Sequence, residues 1–136
     1  MVVSGFNPMR WSCAKDGCFN VKRRPKIEGF ADCFPRAINF GDIDGLVEIN
    51  GCFCLLEWKG EGGALRNGQT RSFVAFTDTI GNIVLVVHGD AETMDITGYS
   101  TFWGGRHWPL VKANLNDLKQ RIRRWVEWTE AAKAAI

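Results

Sequence analysis

Nowhere in the 136 residues does an apolar run approach the eighteen or so that a membrane-spanning helix requires, which argues against a membrane protein. The first residues, MVVSGFNPMRWSC, lack the basic stretch and sustained apolar run of a secretory signal, so a cytoplasmic protein is expected. There is no internal repeat, low-complexity tract or Pro/Ser-rich linker, which leaves a single domain over 1–136 as the simplest organisation. Cysteine is not scarce, but five is an odd number and two of the five alternate along a predicted strand, which does not suit a disulfide framework.

What is present is an ordinary globular composition with uneven charge. Residues 1–36 hold seven Lys/Arg against three Asp/Glu, residues 37–108 four against nine, and residues 109–136 six against three. An acidic centre between basic ends suits a polyanion gripped at the flanks and attacked at the acids with divalent cations between; solvated surface charge is the alternative.

Residues 1–36 read as an irregular, basic, cysteine-containing segment without apolar period. A core over 37–90 follows. It opens with a hairpin around Asn50-Gly51, followed by a Gly-rich loop and a helix near 69–79, where Phe73, Phe76 and Ile80 share a face and Asn67 is a candidate cap. Gly81 should end that helix, and NIVLVVHG reads as a strand buried on both faces. Residues 91–111 fit either a further strand or a long aromatic loop. Leu115, Leu118, Ile122, Trp125, Trp128 and Ala132 at three- and four-residue steps define an amphipathic helix within 112–135, capped by Asn114 or Asn116. Together these make a small α/β (α+β) domain: a mixed sheet with a hairpin, a following helix and strand, and a C-terminal helix.

A two-residue turn at Asn50-Gly51 pairs residues whose numbers sum to 101, so Asp44 opposes Glu57 and Asp42 opposes Lys59. One face of the ribbon then holds Ile43, Val47, Ile49, Cys52, Cys54, Leu56 and Trp58 and belongs against a core. The other carries Asp42, Asp44, Glu48, Glu57 and Lys59. Directly opposed carboxylates repel. A shared proton, the Lys59 ammonium or a divalent ion would offset that, and Mg2+ needs only one or two carboxylates besides water and phosphate oxygens. A solvated face with a Lys59–Asp42 pair is the competing reading.

Asp44, the turn, and Glu57-Trp58-Lys59 in LLEWK resemble the PD-(D/E)xK nuclease superfamily. GGALRNGQTRSFVAF followed by GNIVLVV is similar to its small VRR-type and Holliday-resolvase-like branches. The resemblance spans roughly Phe40 to His88. It implies a restriction-endonuclease-like core and metal-dependent hydrolysis of DNA, with Mg2+ or Mn2+ held by Asp44, Glu57 and the Trp58 carbonyl, Lys59 beside the attacking water, and Gln69 as a polar organiser. The motif's proline is replaced, since Ile43 precedes Asp44, and the extra acid of related enzymes would fall to Glu28 or Asp32.

Other candidates carry two readings each. Cys13, Cys18 and Cys33 are either ligands of a structural Zn2+ or reduced thiols. Lys22, Arg23, Arg24 and Lys26, near Trp11 and Phe19, either track nucleic-acid phosphates or form a solvated loop. Cys52 and Cys54 are expected in the core. His88 suits a strand-end role and His107 a loop, neither of them a catalytic base. Lys119, Arg121, Arg123 and Arg124 on the last helix are expected to be solvated, with phosphate contact as the second option. A non-catalytic module binding nucleic acid or protein, with or without zinc, is the rival to a nuclease, and cutting two strands would call for a homodimer.

Overall fold

The computed structural model describes residues 27–60 and 62–135; Cys13, Cys18 and the basic residues Lys22, Arg23, Arg24 and Lys26 lie outside them. The chain divides into two compact units, one ending at Gly41 and the other starting at Asp42. In the first, Ile27–Cys33 forms a 3-10 helix with no buried residue, carrying Glu28, Asp32 and the exposed thiol of Cys33. Phe40 meets Phe30 and Phe34 edge-on, with ring centroids 5.9 and 5.2 Å apart.

The second unit runs β1 (Gly45–Ile49), β2 (Cys52–Trp58), α1 (Asn67–Thr77), β3 (Ile83–Asp90), β4 (Asp95–Trp103), β5 (Arg106–Lys112) and α2 (Leu115–Ala134). The five strands form one mixed sheet in sequence order. Only β2 and β3 are parallel, because α1 is the crossover between them; the other neighbours are antiparallel. This is the mixed sheet with two helices expected from the sequence. Among the described residues no helix is long and apolar enough to cross a membrane.

Side-chain parity explains the core. Along β3, Ile83, Leu85 and Val87 point to one face, where they join Cys54, Ile96, Tyr99, Leu118 and Trp125 in a cluster covered by α2. Val84 and Val86 point to the other, joining Leu55, Phe73 and Phe102 in a smaller cluster with α1. A strand covered on both faces must be apolar at every position, and Ile83 to Val87 are all at most 1% exposed. Residue Asn114 caps α2 through reciprocal bonds of 2.9 Å with Asp117, as its position predicts. The buried Trp125 indole donates across the core to the Gly81 carbonyl (2.8 Å). Gly81 is at φ +93°, and a Cβ there would come within 2.4 Å of Cys52 Sγ, so only glycine fits.

The hairpin register is the expected one, from Ile49↔Cys52 to Gly45↔Leu56, over a turn with both central residues at positive φ (Asn50 54°, Gly51 82°). Its faces differ from expectation in three ways. Ile43 and Val47, assigned to the core, are 53% and 46% exposed, because β1 is the sheet's edge strand. Asp42 and Asp44 precede the strand, which starts at Gly45. The face of Glu57 is also partly apolar, since Leu55 and Phe53 lie there against α1 and its Phe76.

Helix α1 starts after Arg66 rather than at an Asn67 cap, and ends at Thr77, leaving Ile80 84% exposed. Residues 91–111 resolve into β4 and β5, joined at Gly104-Gly105, both at positive φ (63° and 74°). Every residue of β5 is exposed, and Pro109 is tolerated there because only β4 pairs with it.

Candidate active site

Glu57 and Lys59 stand two residues apart at the carboxyl end of β2, hence on the same face, the one that α1 covers. Gln69, in the first turn of α1, is lowered onto them by the crossover. Its side-chain amide donates to Glu57 Oε1 (2.8 Å) and its carbonyl oxygen accepts from Lys59 Nζ (2.7 Å) and from the backbone N–H of Arg66 (3.1 Å). The amide can sit only one way round, since the ammonium and the N–H can only donate and the carboxylate can only accept. The last bond also satisfies a free N–H at the start of the helix, so the group that organises the cluster is the group that caps α1.

Glu57 is 9% exposed, and a carboxylate withdrawn from water to that degree must be paired or hydrogen-bonded. Lys59 Nζ lies 3.5 Å from its Oε1, so both forms of compensation are present.

Asp44 arrives differently. It sits in a bend just ahead of β1, and its Oδ2 accepts from the Trp58 N–H at 2.6 Å. The carboxylate thus replaces the backbone carbonyl that a longer β1 would have offered, instead of standing off the sheet face as the simple alternation predicts. In extended chain the N–H and C=O of a residue point to the same strand edge, so the Trp58 carbonyl is directed toward the β1 side as well. The neighbouring Lys59 N–H goes the other way, to the Val87 carbonyl (2.9 Å).

The structure therefore brings together Asp44, Glu57, Trp58, Lys59 and Gln69. Among the described residues Asp44 Oδ1 and Glu57 Oε2 find no hydrogen-bond or ion-pair partner. Two free carboxylate oxygens and a main-chain carbonyl are hard donors of the kind Mg2+ or Mn2+ takes, with water and substrate completing the shell. Among the described residues there is no cluster of three or more His, Cys, Asp or Glu, and those residues bring two carboxylates to this place. Glu28, Asp32 and Cys33 belong to the other unit.

Two histidines join the picture that sequence reasoning had set aside. The parallel register Trp58↔Val87 places His88 beside Lys59, and its Nδ1 donates to the Gly60 carbonyl (3.2 Å), bracing the chain just past Lys59. His107 Nε2 lies 3.0 Å from Ser100 Oγ, and its ring stacks on Phe102 with centroids 4.0 Å apart and planes 2° from parallel. Burial pulls the His107 pKa below its ordinary value, favouring the neutral ring. Thr70, His88, Ser100 and His107 line a cleft of about 320 Å³. The signal was available: His88 has the same parity on β3 as Val84 and Val86, and so shares the face of Glu57.

No protein-family model, curated protein or solved structure matches the chain.

Proposed function

We propose that the protein is a metal-dependent nuclease that hydrolyses phosphodiester bonds in DNA. The observation that carries this reading is the joint placement of Glu57, Lys59 and Gln69 in one hydrogen-bonded cluster, with Asp44 held against the adjacent backbone of Trp58. It agrees with the PD-(D/E)xK pattern read from the sequence. The basic segments of the chain would position backbone phosphates.

In this reading Asp44, Glu57 and the Trp58 carbonyl hold Mg2+ or Mn2+, which when bound supplies Lewis-acid stabilisation of charge on the phosphate and lowers the pKa of water. Lys59 directs its ammonium at the attacking water and at the negative charge that grows on the phosphoryl oxygens. Gln69 keeps the ammonium and the Glu57 carboxylate apart at bonding distance, so neither collapses fully onto the other. Val86, the ladder neighbour of Glu57 and part of the apolar cluster under α1, would lower the local dielectric on that side and strengthen these interactions. A cut through both strands of a duplex requires two copies, hence a homodimer.

The test is a cleavage assay over single-stranded, duplex and branched DNA with Mg2+, Mn2+ or EDTA. Metal-stimulated cleavage is expected from the parent, and loss of it from Glu57→Gln, Asp44→Asn and Lys59→Met with unchanged circular dichroism. Equal cleavage by parent and Glu57→Gln would overturn the assignment, and salt-sensitive DNA binding without cleavage would favour a binding module.

A further inference from the structure

On the opposite face of the sheet, Trp103, Arg121, Arg124, Trp125 and Trp128 enclose a recess of about 300 Å³. Trp125 is its fixed floor, 1% exposed and tied to the Gly81 carbonyl. Trp103 and Trp128 meet edge-on, with centroids 5.1 Å apart and planes at 87°, and Trp128 is 36% exposed. An indole surface is thus offered to whatever enters.

The two guanidiniums make the recess unusual. Arg121 and Arg124 are three apart on α2 and therefore neighbours, and like charges at that spacing repel. Among the described residues neither finds a hydrogen-bond or ion-pair partner. Asp117, four residues before Arg121 and the natural partner on a helix, is spent instead on the Asn114 backbone N–H. Glu127, three residues after Arg124, makes no ion pair with it. Arg121 is half-buried, and burial first and the Arg124 charge second both pull its pKa below the ordinary value, against weaker opposing effects of Tyr99 and Cys54. A half-buried guanidinium beside a second one, with no partner among the described residues, is available to an anion.

We propose that this recess binds a nucleotide unit, the phosphate between Arg121 and Arg124 and the base against Trp103 and Trp128. Paired guanidiniums match phosphate oxygens in a way a lone ammonium does not. Flat rings stack on indole without reading sequence, which suits any base. An anion lacking a ring, such as a carboxylate side chain, would leave the indole walls unused. The recess lies across the sheet from Glu57, so the inference does not depend on the nuclease reading. Its ligand is either a free nucleotide or a nucleotide within a single strand.

Isothermal titration calorimetry of the full chain in EDTA, with inorganic phosphate, dAMP, a short oligothymidylate and polyglutamate as probes, decides the matter. Saturable binding of dAMP or the oligothymidylate is expected, far tighter than phosphate. It should be weakened about tenfold or more by Arg124→Gln and by Trp128→Leu, and left unchanged by Arg123→Gln on the exposed side of α2. For the oligothymidylate, Arg124→Gln should also lower the slope of log K against log salt by roughly 0.7. Equal affinity for dAMP and the strand identifies a free nucleotide as the ligand; binding of the strand alone identifies single-stranded nucleic acid. No nucleotide binding, affinity unmoved by both variants, or binding of polyglutamate alone would each overturn the proposal. Arg124 is exposed, so its variant tests the site without disturbing the core.

Discussion

Under α2 the sheet presents Ile83, Leu85 and Val87 to Leu118 and Trp125, with nine buried residues in the cluster; under α1 it presents Val84 and Val86 to Phe73, with five. The same strands thus have one face committed to packing and another whose apolar patch stops short, at the carboxyl end of β2, where Glu57 and Lys59 take over. Two steps along β2, on one face, separate a core residue, Leu55, from a charged one, Glu57. A side chain held at bonding distance needs a backbone that does not move, and the α2 face supplies it.

If that division of labour is right, damage to the two faces should be separable. Glu57→Gln or Lys59→Met should lower cleavage by roughly 10³-fold or more with the fold intact, measured as kcat on the preferred DNA beside a thermal melt. Trp125→Ala should do the reverse. It should cost about 3–5 kcal/mol in urea unfolding, because it empties a site that is 1% exposed. Gln69→Ala should reduce activity by about 10- to 100-fold, as loss of a group that orients ligands and leaves them in place.

Much of this division was readable in the sequence. The Asn50-Gly51 turn fixed the hairpin register, and that register placed Glu57 and Lys59 on one side of β2. Gln69 entered only through the resemblance, which implies a glutamine near the start of the following helix. The side chain of Asp44 could not, because period-2 alternation holds only while the chain stays in the ladder, and the ladder ends at Gly45. Val47 misled for a related reason: its partner Cys54 is buried, but on the edge strand Val47 itself is left exposed. Strands β4 and β5 were hidden by context. The latter half of β4 is buried at consecutive positions and β5 is exposed at every one, so neither alternates. The Gly104-Gly105 pair was the overlooked sign of a two-residue hairpin.

Smaller effects should sharpen the contrast. Asn114→Ala, which removes the α2 cap, should cost about 1 kcal/mol, visible as a shift of the urea midpoint without change in slope. His107 has a depressed pKa in the folded chain, so the unfolded chain binds the proton more readily. Its contribution to stability is therefore complete above the ordinary value of 6.5 and fades as pH falls below it. Replacing it with Phe should flatten that part of the stability profile. Cys54, whose thiol burial pushes up to about 11, should resist alkylation at neutral pH until the protein unfolds, whereas the exposed Cys33 should react at once.

The bond from Trp125 to the Gly81 carbonyl spans 44 residues of sequence. During synthesis Asp44, Glu57, Lys59 and Gln69 all leave the ribosome before α2 exists, at a time when β3 has no partner for one of its faces. The nascent chain is therefore expected to hold these groups loosely until α2 has left the ribosome and the indole can pack. Protease mapping of the full chain beside one truncated before Leu115 would reveal the step.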